Sequence, residues 1–308
     1  MAIASTGYRG ELGGSAPKWR GNQSVLGRVL RKNERLAWQS VALFVGVLFL
    51  VPFIWLILTA FVRYGGLDLS TKGGVTVSNF SGLFGNTPTA QAIGEGVGAA
   101  LLNSFWLSTG TMVITTGIAL ITAYPLARFD IRGKNAIIYG IVFVTGLPIV
   151  AVVIPTYEIF LRYNLVNSRI WTILFMTATS LPFAVWIGKN FIDRVPIELE
   201  ESASTEGAGV LKTLRYVTVP LVLPGALVIA IYTFIQAWSN FFVPFILLDS
   251  PKLPAAVTIY QFFGQYTVNY SGLAAFSIVF TAVPVALYIG LSKWAGGGGS
   301  LFGGAIKG

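Results

Sequence analysis

The sequence predicts an all-α integral membrane protein with six transmembrane helices. Three observations carry the prediction. Charged residues make up 11% of 308 positions and hydrophobic ones 54%. Mean hydropathy is +0.72. The apolar residues gather into six long runs, and the acidic ones lie between those runs. An ordinary soluble domain carries about 25% charge, so a chain with this little polar surface belongs in lipid.

An apolar helix of roughly 20 residues crosses a hydrocarbon core about 30 Å thick. Six stretches meet or approach that length: about 37–62, 99–127, 136–157, 170–188, 216–248 and 273–292. The first, "VALFVGVLFLVPFIWLILTAF", has no charge until Arg63. It contains Pro52, which helices in lipid tolerate better than soluble ones. The second is rich in Thr, Ser and Gly, residues that favour close helix–helix contact over lipid exposure. The fifth is too long for one straight crossing, so its start, "TLRYVTVPLVLPG", is expected at the interface, bending at Pro220 and Pro224.

The spans divide the chain into a basic segment 1–36, the first span 37–62, a loop 63–98, a core 99–292 with five spans and a connecting loop at 193–215, and a tail 293–308. Segments 1–36, 128–135, 189–215 and 293–308 together hold 16 of the 21 basic residues, and the alternate segments hold 5. Cytoplasmic segments are enriched in Lys and Arg, so both termini and the 193–215 loop are expected on the cytoplasmic side. The roughly 36 mostly polar residues before the first span argue against a cleavable signal peptide. Their seven basic residues suit a positive anchor near anionic head groups.

The chain has no Cys and no His. That excludes disulfides, the usual zinc sites and His-based acid–base catalysis. "AGGGGS" lacks the Lys of a phosphate-binding loop, and nothing looks catalytic. The net charge of +9 is spread along the ends of apolar runs rather than clustered with aromatics, which fits membrane orientation and not nucleic acid. All twelve carboxylates fall outside the cores of the spans. Ion-coupled carriers usually keep an ionisable group inside the membrane, so the energy for uphill transport is expected to enter through another subunit.

Five of the twelve acids, Asp193, Glu198, Glu200, Glu201 and Glu206, share the one loop between spans four and five. This loop reads as a short helix. Pro196 suits a first turn, and the glutamates near the N-terminus complement the helix dipole. Ala203 and Gly207, four residues apart, predict a smooth strip where another backbone can approach. A carboxylate beside that strip is a candidate docking peg for a partner groove. Taken alone, a charge run also fits a merely solvated loop.

"EESASTEG", followed by "VTVP", resembles the EAA signature of permease subunits in binding-protein-dependent ABC importers. Glu201 stands at the Glu position, Ser202 and Ala203 at the two Ala positions and Gly207 at the Gly, while Val217, Val219 and Pro220 close the pattern. Ser202 departs from Ala, Val219 from Leu, and Glu206 stands where Asp is common. "QAWSNFFVPFILLDSPKLPAAV" and the ending "GGAIKG" extend the resemblance to MalG-like carbohydrate permeases over about 37–308. It implies a type I importer permease fold (MetI/MalG-like) in the bacterial inner membrane. It also implies a second permease subunit, two ATP-binding subunits that hold ATP and Mg, and an extracytoplasmic solute-binding protein. By the same resemblance the loop that includes Glu200, Glu201, Ser202, Ala203, Gly207 and Pro220 couples to the ATPase, loop 249–272 touches the binding protein, and the tail reaches back to the ATPases. A carbohydrate, an oligosaccharide or polyol, is the expected solute.

Within span five, Tyr232, Gln236 and Asn240 recur every four residues, with Trp238 and Phe234 nearby. They read either as a translocation path, with amides bonding sugar hydroxyls and an aromatic ring stacking on the sugar, or as interhelix hydrogen bonds and an interfacial Trp belt. Asn103 and Ser104, at the start of span two, read as either a cap or packing contacts, with packing favoured. The rival function classes are a permease for a non-sugar solute, an ion-coupled secondary carrier, and a non-transporting membrane scaffold.

Overall fold

Long apolar helices dominate the computed structural model, which describes residues 25–62, 74–85, 96–262 and 269–296. The chain divides into two units, Met1–Ile54 and Trp55–Gly308. Among the described residues, five helices are long and apolar enough to cross a membrane, and a sixth segment is a bent pair.

Helix α1, Val25–Ala60, is 36 residues long and runs through Pro52. It starts twelve residues before the expected first span, inside the basic segment; residues 1–24 lie outside the described ones. From Leu36 to Ile54 the side chains are exposed, and they are apolar with few exceptions. Such a surface is stable only against lipid or another apolar partner. Further along the chain, Asn79 donates to the carbonyls of Ala60 and Val62, each at 2.8 Å, closing the open C-terminal end of α1. Asn79 belongs to a short helix α2, Ser78–Phe84.

The second unit is built on α3, Gly96–Arg128. Helix α4 is Lys134–Thr145, α5 is Ile149–Arg162 and α6 is Arg169–Ile192. The expected third span 136–157 is therefore two helices, bent by 90°. Pro148 starts α5 in an extended conformation, with ψ of 126°. A proline also disfavours helical geometry at the residue before it, so Leu147 breaks the ladder. Helix α7, Ile197–Thr205, lies in the acidic loop. It is followed by α8, Val210–Thr213, a π-helical turn at Leu214–Thr218 and α9, Val219–Trp238. Short helices α10, Phe242–Leu247, and α11, Ala255–Thr258, precede α12, Tyr270–Gly296. The C-terminal tail beyond Gly296 lies outside the described residues.

The bend expected at Pro220 and Pro224 takes another form. Pro220 has no N–H for the Tyr216 carbonyl, and its ring crowds that oxygen. The ladder widens into the π-helical turn just upstream, and α9 then runs on through Pro224. The fifth span also ends earlier than expected: α9 stops at Trp238, and 242–247 form a separate helix.

Helices α3, α6 and α9 pack against one another as the centre of the unit, and small residues allow it. A Cβ on Gly188 of α6 would stand 3.1 Å from the Ala123 Cβ of α3. On α9, a Cβ on Gly225 would stand 2.3 Å from Phe191 Cγ of α6. Around these contacts Ala119, Tyr124, Val185, Ile192, Val222 and Ile229 form one buried apolar cluster. In α3 itself Ser108, Thr111 and Thr115 are buried, and a Cβ on Gly110 would stand 2.8 Å from Ile173 of α6, so the small residues of the second span serve helix–helix contact.

Candidate functional site: the acidic helix and a cavity between spans

Helix α7 starts after Pro196, and its end is fixed by Gly207. Gly207 has a φ of 86°, a conformation that costs other residues roughly 1–2 kcal/mol. Its N–H donates to the Ser204 carbonyl at 3.0 Å, and the Ala208 N–H donates to the Ala203 carbonyl at 3.0 Å. These two bonds form a Schellman cap. The smooth strip expected from Ala203 and Gly207 is therefore absent: Gly207 lies beyond the helix, and a Cβ there would meet nothing within 4 Å. Glycine is needed at this position for its backbone, and no neighbour within the chain approaches it closely.

The acids of α7 and its cap separate into two groups. Glu198, Glu201 and Glu206 are exposed, whereas Glu200 is buried at 7% exposure. Exposed Ser202 donates its hydroxyl to the Glu198 carbonyl at 2.7 Å, so its departure from Ala adds no free donor to the outer face. Ala203 is half-buried and Pro220 exposed. Beside α7, Val210 and Leu211 are exposed and apolar. The exposed surface of α7 and α8 thus offers a carboxylate at Glu201 and bare apolar side chains at Val210 and Leu211, a combination suited to a partner groove that is apolar with a cationic or N–H donor.

Glu200 turns the other way. Its Oε1 accepts from Arg128 Nε at 3.0 Å and from Thr218 Oγ1 at 3.0 Å, and Arg128 Nη2 lies 2.9 Å from the same oxygen. Its Oε2 accepts from the Tyr124 hydroxyl at 3.1 Å. Arg128 also donates to the Val195 carbonyl at 2.9 Å. Both charged side chains are about nine-tenths covered. Removing one partner of such a pair costs about 3–5 kcal/mol, because the other charge is left buried and alone. Tyr124, Arg128 and Thr218 carried no mark in the sequence beyond Arg128's place among the inner basic residues. The one usable signal was a Tyr and an Arg four apart at the C-terminal end of span two.

The second feature is a cavity of about 830 Å³. It opens where the α4–α5 break faces the Thr179–Phe183 stretch of α6 and the C-terminal half of α9. Tyr232, Gln236 and Asn240 all line it, so the helical spacing that grouped them in the sequence does bring them to one space. Thr145, Thr156, Thr179 and Ser180 add hydroxyls, and Phe175 and Phe183 add rings. Phe183 and Tyr232 meet with centroids 4.7 Å apart. None of the lining residues carries a charge. Asn240 also supports the backbone, since its Oδ1 accepts the Val243 N–H at 3.0 Å in the first turn of α10.

Trp238 is not part of this cavity. It is 2% exposed, stacks on Phe234 at 5.6 Å and donates its indole N–H to the Phe280 carbonyl of α12 at 3.2 Å. Two residues along a helix turn the side chain about 200°, so Trp238 faces away from Gln236. Its role is to fasten α9 to α12. In α3, Asn103 donates to the carbonyls of Pro251 and Leu253 and accepts from Arg169. Ser104 accepts the Ala255 N–H. These are packing contacts that fix the loop after α10.

Comparison with known proteins places this arrangement. The family described as binding-protein-dependent transport system inner membrane component matches residues 115–295, which include α7 and the cavity. The diacetylchitobiose uptake system permease protein DasC of Streptomyces coelicolor is 30% identical, over 87% of this chain and 95% of its own length. The sulfoquinovosyl glycerol transport system permease protein SmoH of Agrobacterium fabrum is 28% identical, over 78% of this chain and 83% of its own. A chain from the crystal structure of a bacterial ABC transporter involved in the import of the acidic polysaccharide alginate shares the fold. Its TM-score is 0.66 at 17% identity, covering 85% of this chain and 97% of that one. The protein is a membrane-embedded member of the binding-protein-dependent transport system inner membrane component family.

Proposed function

We propose that the chain is the permease subunit of an ATP-driven importer and forms half of a path for a neutral carbohydrate. The observation that carries this reading is the cavity between spans, large enough for a sugar unit or two and lined by hydroxyls, amides and aromatic rings without a charge. Such a lining bonds sugar hydroxyls and stacks on the apolar faces of sugar rings. It offers nothing to neutralise a carboxylate or sulfonate. The name of DasC, a diacetylchitobiose system, agrees with a neutral carbohydrate, whereas that of SmoH, a sulfoquinovosyl glycerol system, agrees with a carbohydrate but not with a neutral one.

The other half of the path would come from a second, related permease. Two ATP-binding subunits, which hold ATP and Mg, would grip the outer face of α7, and an extracytoplasmic binding protein would deliver solute. In this reading both termini face the cytoplasm, as the distribution of Lys and Arg supports, and the chain itself carries out no hydrolysis. Glu201 is the docking carboxylate. Closure of the ATPase pair displaces α7, and the helices joined to it exchange inward-open for outward-open access. Nucleotide state and solute access then share one equilibrium.

The test is uptake by the complete transporter in proteoliposomes with ATP inside and a panel of labelled solutes outside. Neutral oligosaccharides should be imported, and acidic ones of equal size should neither be imported nor compete. Import of an acidic glycan in preference to neutral ones would overturn the solute assignment.

A further inference from the structure

We infer that Glu200 is a positioning residue that stiffens the joint between α7 and the membrane helices, so that displacement of α7 reaches α3 and α9 instead of being absorbed. This rests on the coupling role proposed for α7. Three features point to it. The carboxylate ties α7 to the end of α3 through Tyr124 and Arg128, and to the π-helical turn through Thr218. Arg128 adds the connection between α6 and α7 through the Val195 carbonyl. Four segments of the chain thus meet on one buried ion pair.

The position of this junction gives it its consequence. The π-helical turn, Leu214–Thr218, is where the ladder leading into α9 is widened to accommodate Pro220. A helix with such an irregularity bends there first when pushed from its end. Thr218, the last residue of the turn, is 1% exposed and holds Glu200 at 3.0 Å. The soft segment is therefore clamped from the side by a charged hydrogen bond to the helix that the ATPase would move. Beyond the clamp, α9 carries Tyr232 and Gln236 into the cavity. Glu201, one residue along and exposed, remains free to meet the partner.

The test uses the assembled transporter in proteoliposomes and reads solute imported per ATP hydrolysed, together with co-purification of the ATPase. Thr218→Val keeps the volume and removes the clamp on the turn. Arg128→Gln with Glu200→Gln removes both buried charges at once, leaving no lone ion. Both variants should co-purify with the ATPase, and the double variant should import about tenfold less solute per ATP. Thr218→Val should lower the same ratio by a smaller factor. A wild-type ratio in both variants overturns the inference. So does loss of the ATPase from the double variant, which would make the pair part of the docking surface. If the double variant fails to accumulate in the membrane, Thr218→Val decides on the ratio alone. Failure of the coupling reading itself shows separately, as unchanged ATPase association in Glu201→Lys.

Discussion

Gly225→Ala should loosen the centre of the protein by an amount that the structure sets. The new Cβ would lie 2.3 Å from Phe191 Cγ, 2.7 Å from its Cβ and 2.8 Å from its Cδ1. Carbon atoms in ordinary contact stand about 3.5–4.0 Å apart, so the shortfall is roughly 1.2 Å. The atoms in the way are the root of the Phe191 side chain, and rotation about χ1 or χ2 cannot move its Cβ. Helices α6 and α9 must therefore separate by about 1 Å, or Phe191 must take a strained backbone. Overpacking of this kind costs about 1–3 kcal/mol, which lowers the melting temperature of a unit of this size by roughly 2–12 °C. The assay is thermal melting of the purified protein by size-exclusion chromatography, with Gly290→Ala as the control, since a Cβ there meets nothing within 4 Å. Equal melting temperatures for Gly225→Ala, Gly290→Ala and wild type would refute the reasoning that this glycine sets the helix spacing.

Other consequences follow from the two sites. Glu201→Lys should insert normally and lose the ATPase on co-purification, because a cation replaces the exposed carboxylate; wild-type yield of ATPase with normal uptake would count against docking through this residue. Gly207→Val should cost roughly 1–2 kcal/mol at the left-handed cap and fray the end of α7, which hydrogen exchange at Ala208 and at position 207 would register as lost protection. Gln236→Ala should weaken solute affinity by one lost hydrogen bond, about 0.5–1.5 kcal/mol, read as a rise in the KM for uptake at unchanged melting temperature. Trp238→Ala should do the reverse, since it leaves a cavity at the α9–α12 contact costing about 3–5 kcal/mol; a change in KM without a loss of stability would contradict the assignment.

Much of the fold was legible because it rests on long-range averages. The length and continuity of apolar runs identified the membrane helices, and the grouping of acids identified α7. Tyr232 and Gln236 converge on the cavity because helical periodicity is a local property that sequence spacing records directly, and Asn240 joins them from just beyond the end of α9. What stayed hidden depends on tertiary partners. Glu200 and Glu201 are adjacent and chemically alike, yet one is sealed against Arg128 and the other faces outward; only the placement of α3 separates them. The 90° break between α4 and α5 was masked by an unbroken apolar stretch, although Gly146 and Pro148 mark it. Gly207 was read as a contact residue because its spacing from Ala203 matches a helix face, and the helix ends before reaching it. Trp238 shares a stretch with the cavity-lining residues but not their face.

The most direct measurement is concentrative uptake by the purified chain reconstituted alone, compared with the same chain assembled with its ATPase, second permease and binding protein. A gate driven from outside itself gives no accumulation by the chain alone under any ion gradient, and ATP-dependent accumulation by the assembly. Accumulation by the solitary chain would contradict it.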